Sequence, residues 1–326
     1  MSNNPAFKFT PGAPLILDGG FGTELAKCGL TAADFAGNLG LPLNQDGNLD
    51  LLALTRPDIL SGIYRAYLYA GADIITTCTF SSTEIEQEKF QTEHLVSDIN
   101  RASAKLALDE AAKFSTAEHP RYVAGSVGPT SHSLTFALIE DEDLDEDDAT
   151  DDLADSYAGQ IAALVSAGVD LLILETFFDV KNSRAALTAA AEVFEILGKS
   201  VPIIVSATIA NGGRLLTGLT ASQYFHKLTN DPHFGKLISA ASLNCSFGGE
   251  ALGEYLAELA KETALPLCFY PNAGLPAPDG SYSETPEHFA AVIKTLNETV
   301  SLSVTGGCCG TTPAHIATLA AAFTKA

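Results

Sequence analysis

Eight short apolar runs, spread along the whole chain and alternating with alanine-rich helical stretches, constrain the fold more than any other feature of this sequence. The runs are residues 15–18, 74–78, 122–126, 171–175, 203–209, 241–245, 267–270 and 302–305. They lack an alternation of polar and apolar residues, the pattern of parallel strands buried on both faces. Helical stretches at 57–70, 93–114, 154–167, 182–197, 251–263 and 286–297 are interspersed with them. About eight such βα units favour an α/β fold, a single closed (β/α)8 TIM barrel, over an open doubly wound sheet. A barrel of this kind fills 326 residues as one unit, and no linker or shift in composition divides the chain, so one domain is expected over 1–326.

A barrel carries its chemistry at the C-terminal ends of its strands. The conspicuous polar residues fall there: Asp18, Thr76, Glu175, Asn244 with Cys245, and Cys308 with Cys309, at the ends of strands one, two, four, six and eight. Cys308 and Cys309 sit in Gly306-Gly307-Cys308-Cys309-Gly310, followed by Thr311-Thr312-Pro313. Flanking glycines let two neighbouring thiols turn toward one soft metal ion. With Cys245 they make three thiolates, the protein share of an open tetrahedral zinc site whose fourth corner is left for substrate. Two other readings stand beside it: buried packing thiols, and a strained vicinal disulfide.

The loop Asp18-Gly19-Gly20-Phe21-Gly22-Thr23-Glu24 fails the dinucleotide pattern at its third glycine. It reads as a tight loop whose N–H groups can hold a carboxylate at a helix start, or as a plain βα turn. Asp18 suits a cation such as a substrate ammonium, or braces the loop. Glu175 ends the apolar run Leu171-Leu172-Ile173-Leu174 and is costly to bury unpaired, so it should meet a positive group in the mouth or an internal ion pair. Pro271-Asn272-Ala273-Gly274-Leu275-Pro276 is a rigid turn. Cys28, placed in a helix, and Cys268, inside a strand, read as packing residues, while Cys78 is a candidate to look into the mouth. Neither H-E-x-x-H nor G-x-S-x-G occurs, and the seven histidines show no metal-ligand spacing.

Net charge is −22, from 40 acidic and 18 basic residues, which argues against nucleic acid and anionic membrane surfaces as partners. Eleven carboxylates fall between Glu140 and Asp155, read as a solvated loop leading into a helix. No apolar run reaches the roughly 18 residues needed to span a bilayer. The first residues have neither a basic nor an apolar signal region, and six cysteines are too few for a disulfide scaffold, so a reducing cytoplasm is expected.

Taken together, these residues resemble the homocysteine S-methyltransferase family of zinc-dependent (β/α)8 barrels. The likeness runs through Leu17-Asp18-Gly19-Gly20-Phe21-Gly22-Thr23, Gly71-Ala72-Asp73-Ile74-Ile75, Gly125-Ser126-Val127-Gly128-Pro129-Thr130, Leu174-Glu175-Thr176, Asn244-Cys245 and residues 306–313. Residues 48–52 and 271–276 are most similar to the homocysteine module of cobalamin-dependent methionine synthase. The resemblance implies Cys245, Cys308 and Cys309 as zinc ligands. It implies Asp18 and Glu175 at the homocysteine ammonium, and the loop of Gly19, Gly20, Gly22 and Thr23 at its carboxylate, with Asn244 in the same substrate site. Methylcobalamin on a corrinoid protein or module is the implied methyl donor. S-methylmethionine, S-adenosylmethionine and betaine are the enzymatic alternatives, and a non-catalytic zinc-holding interaction module is the alternative of another class. Cys78 stands where the methionine synthase module usually has asparagine. The length matches the homocysteine module alone, so folate, cobalamin and reactivation modules would follow in a longer chain or reside on other proteins.

Overall fold

The computed structural model describes residues 6–42 and 44–324. Eight strands form one all-parallel sheet: β1 (Leu15–Ile16), β2 (Ile74–Thr76), β3 (Tyr122–Val127), β4 (Leu171–Phe177), β5 (Ile203–Ala207), β6 (Ile238–Gly248), β7 (Leu267–Asn272) and β8 (Leu302–Thr305). The order is β1-β8-β7-β6-β5-β4-β3-β2, and the ring is drawn together where Leu17 bridges Ile74 in parallel. Asp18 N–H donates to the Ile74 carbonyl at 2.9 Å, and Asp73 N–H to that of Ile16 at 2.7 Å. The expected (β/α)8 barrel is the fold.

Strand periodicity explains why the runs are apolar throughout. Outward residues such as Val123, Leu172, Leu174, Val205, Leu243 and Phe269 pack against the helices in the larger core. Inward residues form a second core of Leu17, Ile74, Tyr122, Ala124, Leu171, Ile173, Ile204, Ala240, Cys268, Tyr270 and Val304. Along β3, β4 and β6 this inner face turns polar toward the C-terminal end: Tyr122 and Ala124 lead to Ser126, Leu171 and Ile173 to Glu175, and Ala240 and Ser242 to Asn244. At the opposite end Phe7 packs edge-on against Phe9 and Tyr122 and closes the barrel floor. The sequence thus builds a dry floor and a polar mouth from one set of strands.

Several boundaries differ from the sequence reading. The helix expected at 154–167 is Glu146–Ala167, so much of the acidic stretch is helical rather than loop. Asp145 caps it by accepting from Asp147 N–H and Asp148 N–H, and Glu146, Asp147 and Asp148 sit where the helix dipole favours negative charge. A shorter helix, Leu134–Glu140, precedes the acidic turn. Cys28 is not a packing residue within a helix: it is exposed, just beyond helix Phe21–Ala26, because the chain leaves the barrel wall there. Cys268 is fully buried on β7, as its apolar surroundings require.

Candidate active site

The C-terminal strand ends enclose a cavity of about 490 Å³. One wall carries sulfur, another carboxylate. Cys245 comes from β6, and Cys308 and Cys309 from the loop after β8. Cys309 Sγ lies 3.9 Å from Cys245 Sγ and 4.0 Å from Cys308 Sγ, and all three sulfurs lie within 4.8 Å of one another. Three thiolates around a tetrahedral zinc at about 2.3 Å would sit about 3.8 Å apart. The spacing therefore suits a metal ion with a vacant corner, and among the described residues no other His, Cys, Asp or Glu group has such convergence. Hydrogen bonds from Cys308 and Cys309 hold the Cys245 thiol well below the usual thiol range, while that same contact pushes Cys308 and Cys309 up.

The sulfur loop is pinned on every side. Gly307 N–H donates to the Asp18 carbonyl at 3.0 Å, Cys308 N–H to that of Pro271 at 2.8 Å, and Cys309 C=O accepts from Ala273 N–H at 2.9 Å. Thr311 Oγ1 donates to the Cys308 carbonyl at 2.7 Å and accepts from Gly20 N–H at 2.9 Å. Gly307 and Gly310 have no room for a side chain: a Cβ would lie 2.3 Å from Thr311 Oγ1 at the first and 2.1 Å from the Tyr282 ring at the second, where φ is +80°. Across the cavity wall, Cys245 and Ser246 on β6 and Thr176 on β4 adopt left-handed backbone with φ of 63°, 60° and 63°. Both strands break register there. Strain of this sort collects where a backbone must aim particular side chains.

Asp18 and Glu175 form the carboxylate wall. Asp18 is 2% exposed, and Oδ2 accepts from Thr76 N–H at 2.7 Å and Thr76 Oγ1 at 3.1 Å. Glu175 Oε1 accepts from Ser126 Oγ at 2.5 Å. Burial pushes each carboxyl up to about 7, against those hydrogen bonds; Glu175 adds to the effect on Asp18, and Cys245 to that on Glu175. Among the described residues neither makes an ion pair. Asp18 is buried and Glu175 half-buried, and both face the cavity with no cation among the described residues to balance them.

Gly19, Gly20, Gly22 and Thr23 line the cavity where helix Phe21–Ala26 begins. Part of this loop is spent on structure: besides the Gly20 bond, Thr23 Oγ1 accepts from Gly310 N–H at 2.9 Å. Asn244 is fully buried behind the wall, with its amide bonded to Thr176 and Ser206. Cys78 lines the cavity but stands apart from the sulfur cluster, its Sγ 3.7 Å from the buried Asp50 carboxylate. Sequence reasoning met Ser126 and Asn272 only within longer motifs and gave them no role of their own, and it passed over Tyr282. Asn272 adds to the lowering of the Cys245 thiol, and Tyr282 lines the cavity with Cys309. Ser126 and Asn272 continue the inward parity of their strands; Tyr282, on a loop, carries no such signal.

A family model described as homocysteine S-methyltransferase matches residues 15–323. Among solved structures, the oxidized form of the homocysteine methyltransferase MmuM from Escherichia coli matches with a TM-score of 0.71 at 24% identity, over 95% of this chain and 96% of that one. The metallated form of the same enzyme gives a TM-score of 0.69 at the same identity and coverage. A B12-independent methionine synthase from Shewanella sp. W3-18-1 in complex with selenomethionine gives 0.56 at 16% identity, again over 95% and 96% of the two chains. At these identities the structural likeness is one of fold.

Proposed function

The chain belongs to the homocysteine S-methyltransferase family, and on that premise we propose that it methylates the sulfur of L-homocysteine at a zinc ion held by Cys245, Cys308 and Cys309, giving methionine. The observation that carries this is the pairing, in one cavity, of three convergent sulfurs with two carboxylates, Asp18 buried and Glu175 half-buried, that form no ion pair among the described residues. A bound zinc would supply the Lewis acidity that keeps an incoming thiol, with a free pKa of about 8.5, as a thiolate at neutral pH.

The chain's own residues do the rest. Asp18 and Glu175 receive the substrate ammonium and give up their protons as they do so, since a cation beside them reverses the cost of burial. Gly19, Gly20, Gly22 and Thr23, at the opening of helix Phe21–Ala26, face the substrate carboxylate. Holding the amino-acid end while the sulfurs fix the other aims the nucleophile at the methyl group, a positioning effect that can contribute several kcal/mol. The acceptor sulfur needs no general acid.

For the donor we favour methylcobalamin carried by a separate corrinoid protein or module, supported by residues 48–52 and 271–276. A small sulfonium donor is the second reading, favoured by Asp50. This third carboxylate is buried, lines the same cavity and forms no ion pair among the described residues. Residues 1–326 are taken to act as one catalytic unit, in a reducing cytoplasm that keeps the sulfurs free. The decisive experiment assays the purified, zinc-loaded chain with homocysteine and, in turn, methylcobalamin, S-methylmethionine, S-adenosylmethionine and betaine, before and after metal removal. Methionine formation that survives complete metal removal overturns the proposal. Metal binding without any response of the metal to homocysteine points instead to a non-catalytic module.

A further inference from the structure

We infer that Asn244 is a positioning residue that sets the spacing between the carboxylate wall and the sulfur cluster, a role that rests on homocysteine bridging the two. Its side chain is fully buried in β6, between the two kinked strand ends. Oδ1 accepts from Thr176 N–H at 3.0 Å and from Ser206 Oγ at 2.7 Å. Nδ2 donates to Thr176 Oγ1 at 2.8 Å and lies 3.9 Å from Cys308 Sγ. The Thr176 N–H fixes which amide atom faces it, so the group has one orientation.

These contacts reach both halves of the site. Thr176 directly follows Glu175, and Cys245 directly follows Asn244. Thr176 and Cys245 share a φ of 63°, a conformation that persists in non-glycine residues only when the surroundings enforce it. One carboxamide therefore fastens the kink that aims Glu175 to the kink that aims Cys245, and touches the second sulfur as well. With all its strong hydrogen-bonding capacity spent on protein, and no place among the residues lining the cavity, Asn244 acts on substrate through its neighbours.

A ligand that engages only one wall is indifferent to their spacing, whereas a ligand that engages both is not. The test uses the full chain loaded with Co2+, whose thiolate absorption reports sulfur binding, as wild type, Asn244→Ala and Asn244→Asp. Each is titrated with homocysteine and with ethanethiol, which has sulfur but no amino-acid end. In Asn244→Ala the metal stoichiometry and the ethanethiol affinity should hold, while homocysteine affinity falls on the order of 100-fold. Asn244→Asp keeps the acceptors for Thr176 N–H and Ser206 but exchanges the Nδ2 donor for a carboxylate oxygen that faces Thr176 Oγ1 and Cys308; it should show the same selective loss of homocysteine affinity, and is decisive if the alanine variant does not fold. Unchanged homocysteine affinity, an equal loss for both thiols, or loss of metal from a folded variant would overturn the role of Asn244. A wild-type protein whose absorption ignores homocysteine would instead remove the functional reading beneath it.

Discussion

At the level of single residues, the pair Asp18 and Glu175 yields the sharpest consequence. Both titrate near 7 in the folded protein, against reference values of 3.8 and 4.5. Between those limits the folded state holds protons that the unfolded state releases, so these groups cost stability progressively as pH rises through the window. A substrate ammonium offsets that cost only once the acids are ionised. Homocysteine affinity should therefore rise between about pH 6 and about pH 8. The substrate thiol contributes to the same slope, but it does so in every variant. Glu175→Gln should bind homocysteine roughly tenfold or more weakly, with a shallower pH dependence and unchanged metal content. Isothermal titration at several pH values, beside metal analysis, reads both; loss of metal in that variant would mean Glu175 supports the sulfur cluster instead. The two acids and three sulfurs were legible in the sequence because each ends or follows an apolar run. Ser126, the donor to Glu175, was not: a serine in a Gly-Ser-Val run acquires meaning only when β3 lies beside β4.

At the level of elements, sequence fixes strand centres better than strand ends. All eight centres were legible, since burial on both faces leaves uninterrupted apolar runs. The ends were not, because they are set by partners distant in sequence. β6 extends to Gly248 through the left-handed Cys245 and Ser246, and β1 shrinks to two residues where the ring closes. The acidic helix start escaped for a different reason: a dense run of like charge reads as solvated loop until Asp145 is seen as a cap. Asp145→Ala should lower stability by about 1 kcal/mol without altering metal binding, as thermal melting with metal analysis would show. Gly310→Ala is a harsher change. It places a Cβ 2.1 Å from Tyr282 at a φ of +80°, so the sulfur loop or the Tyr282 loop must move. Left-handed backbone alone costs about 1–2 kcal/mol in a non-glycine residue, and the clash adds to it. Destabilisation together with weakened metal retention is expected; a variant that melts like wild type and keeps its metal would show that the Tyr282 loop yields freely.

At the level of the whole molecule, 40 acidic residues against 18 basic ones give a folded body of charge −22, and all eleven carboxylates between Glu140 and Asp155 are exposed. Compaction brings these charges closer than they are in the unfolded chain, and net charge far from zero strains the folded state by self-repulsion. Salt screens that repulsion over a Debye length of about 10 Å at 0.1 M, while the buried contacts that hold the barrel together are screened much less. The melting temperature should therefore climb as sodium chloride is raised from about 10 mM to about 300 mM, opposite in sign to a protein held by surface ion pairs. The acidic segment should account for a disproportionate share. Replacing Asp143, Asp147, Asp148, Asp151 and Asp152 with asparagine leaves the Asp145 cap and the Glu146–Lys181 pair in place and removes five negative charges. That variant should flatten the salt dependence. Asp147 and Asp148 also favour the helix dipole, so the variant gives up some helix stability as it relieves repulsion. If its melting point falls at every salt concentration and the slope with salt is unchanged, the segment serves its own helix and the repulsion lies elsewhere on the surface.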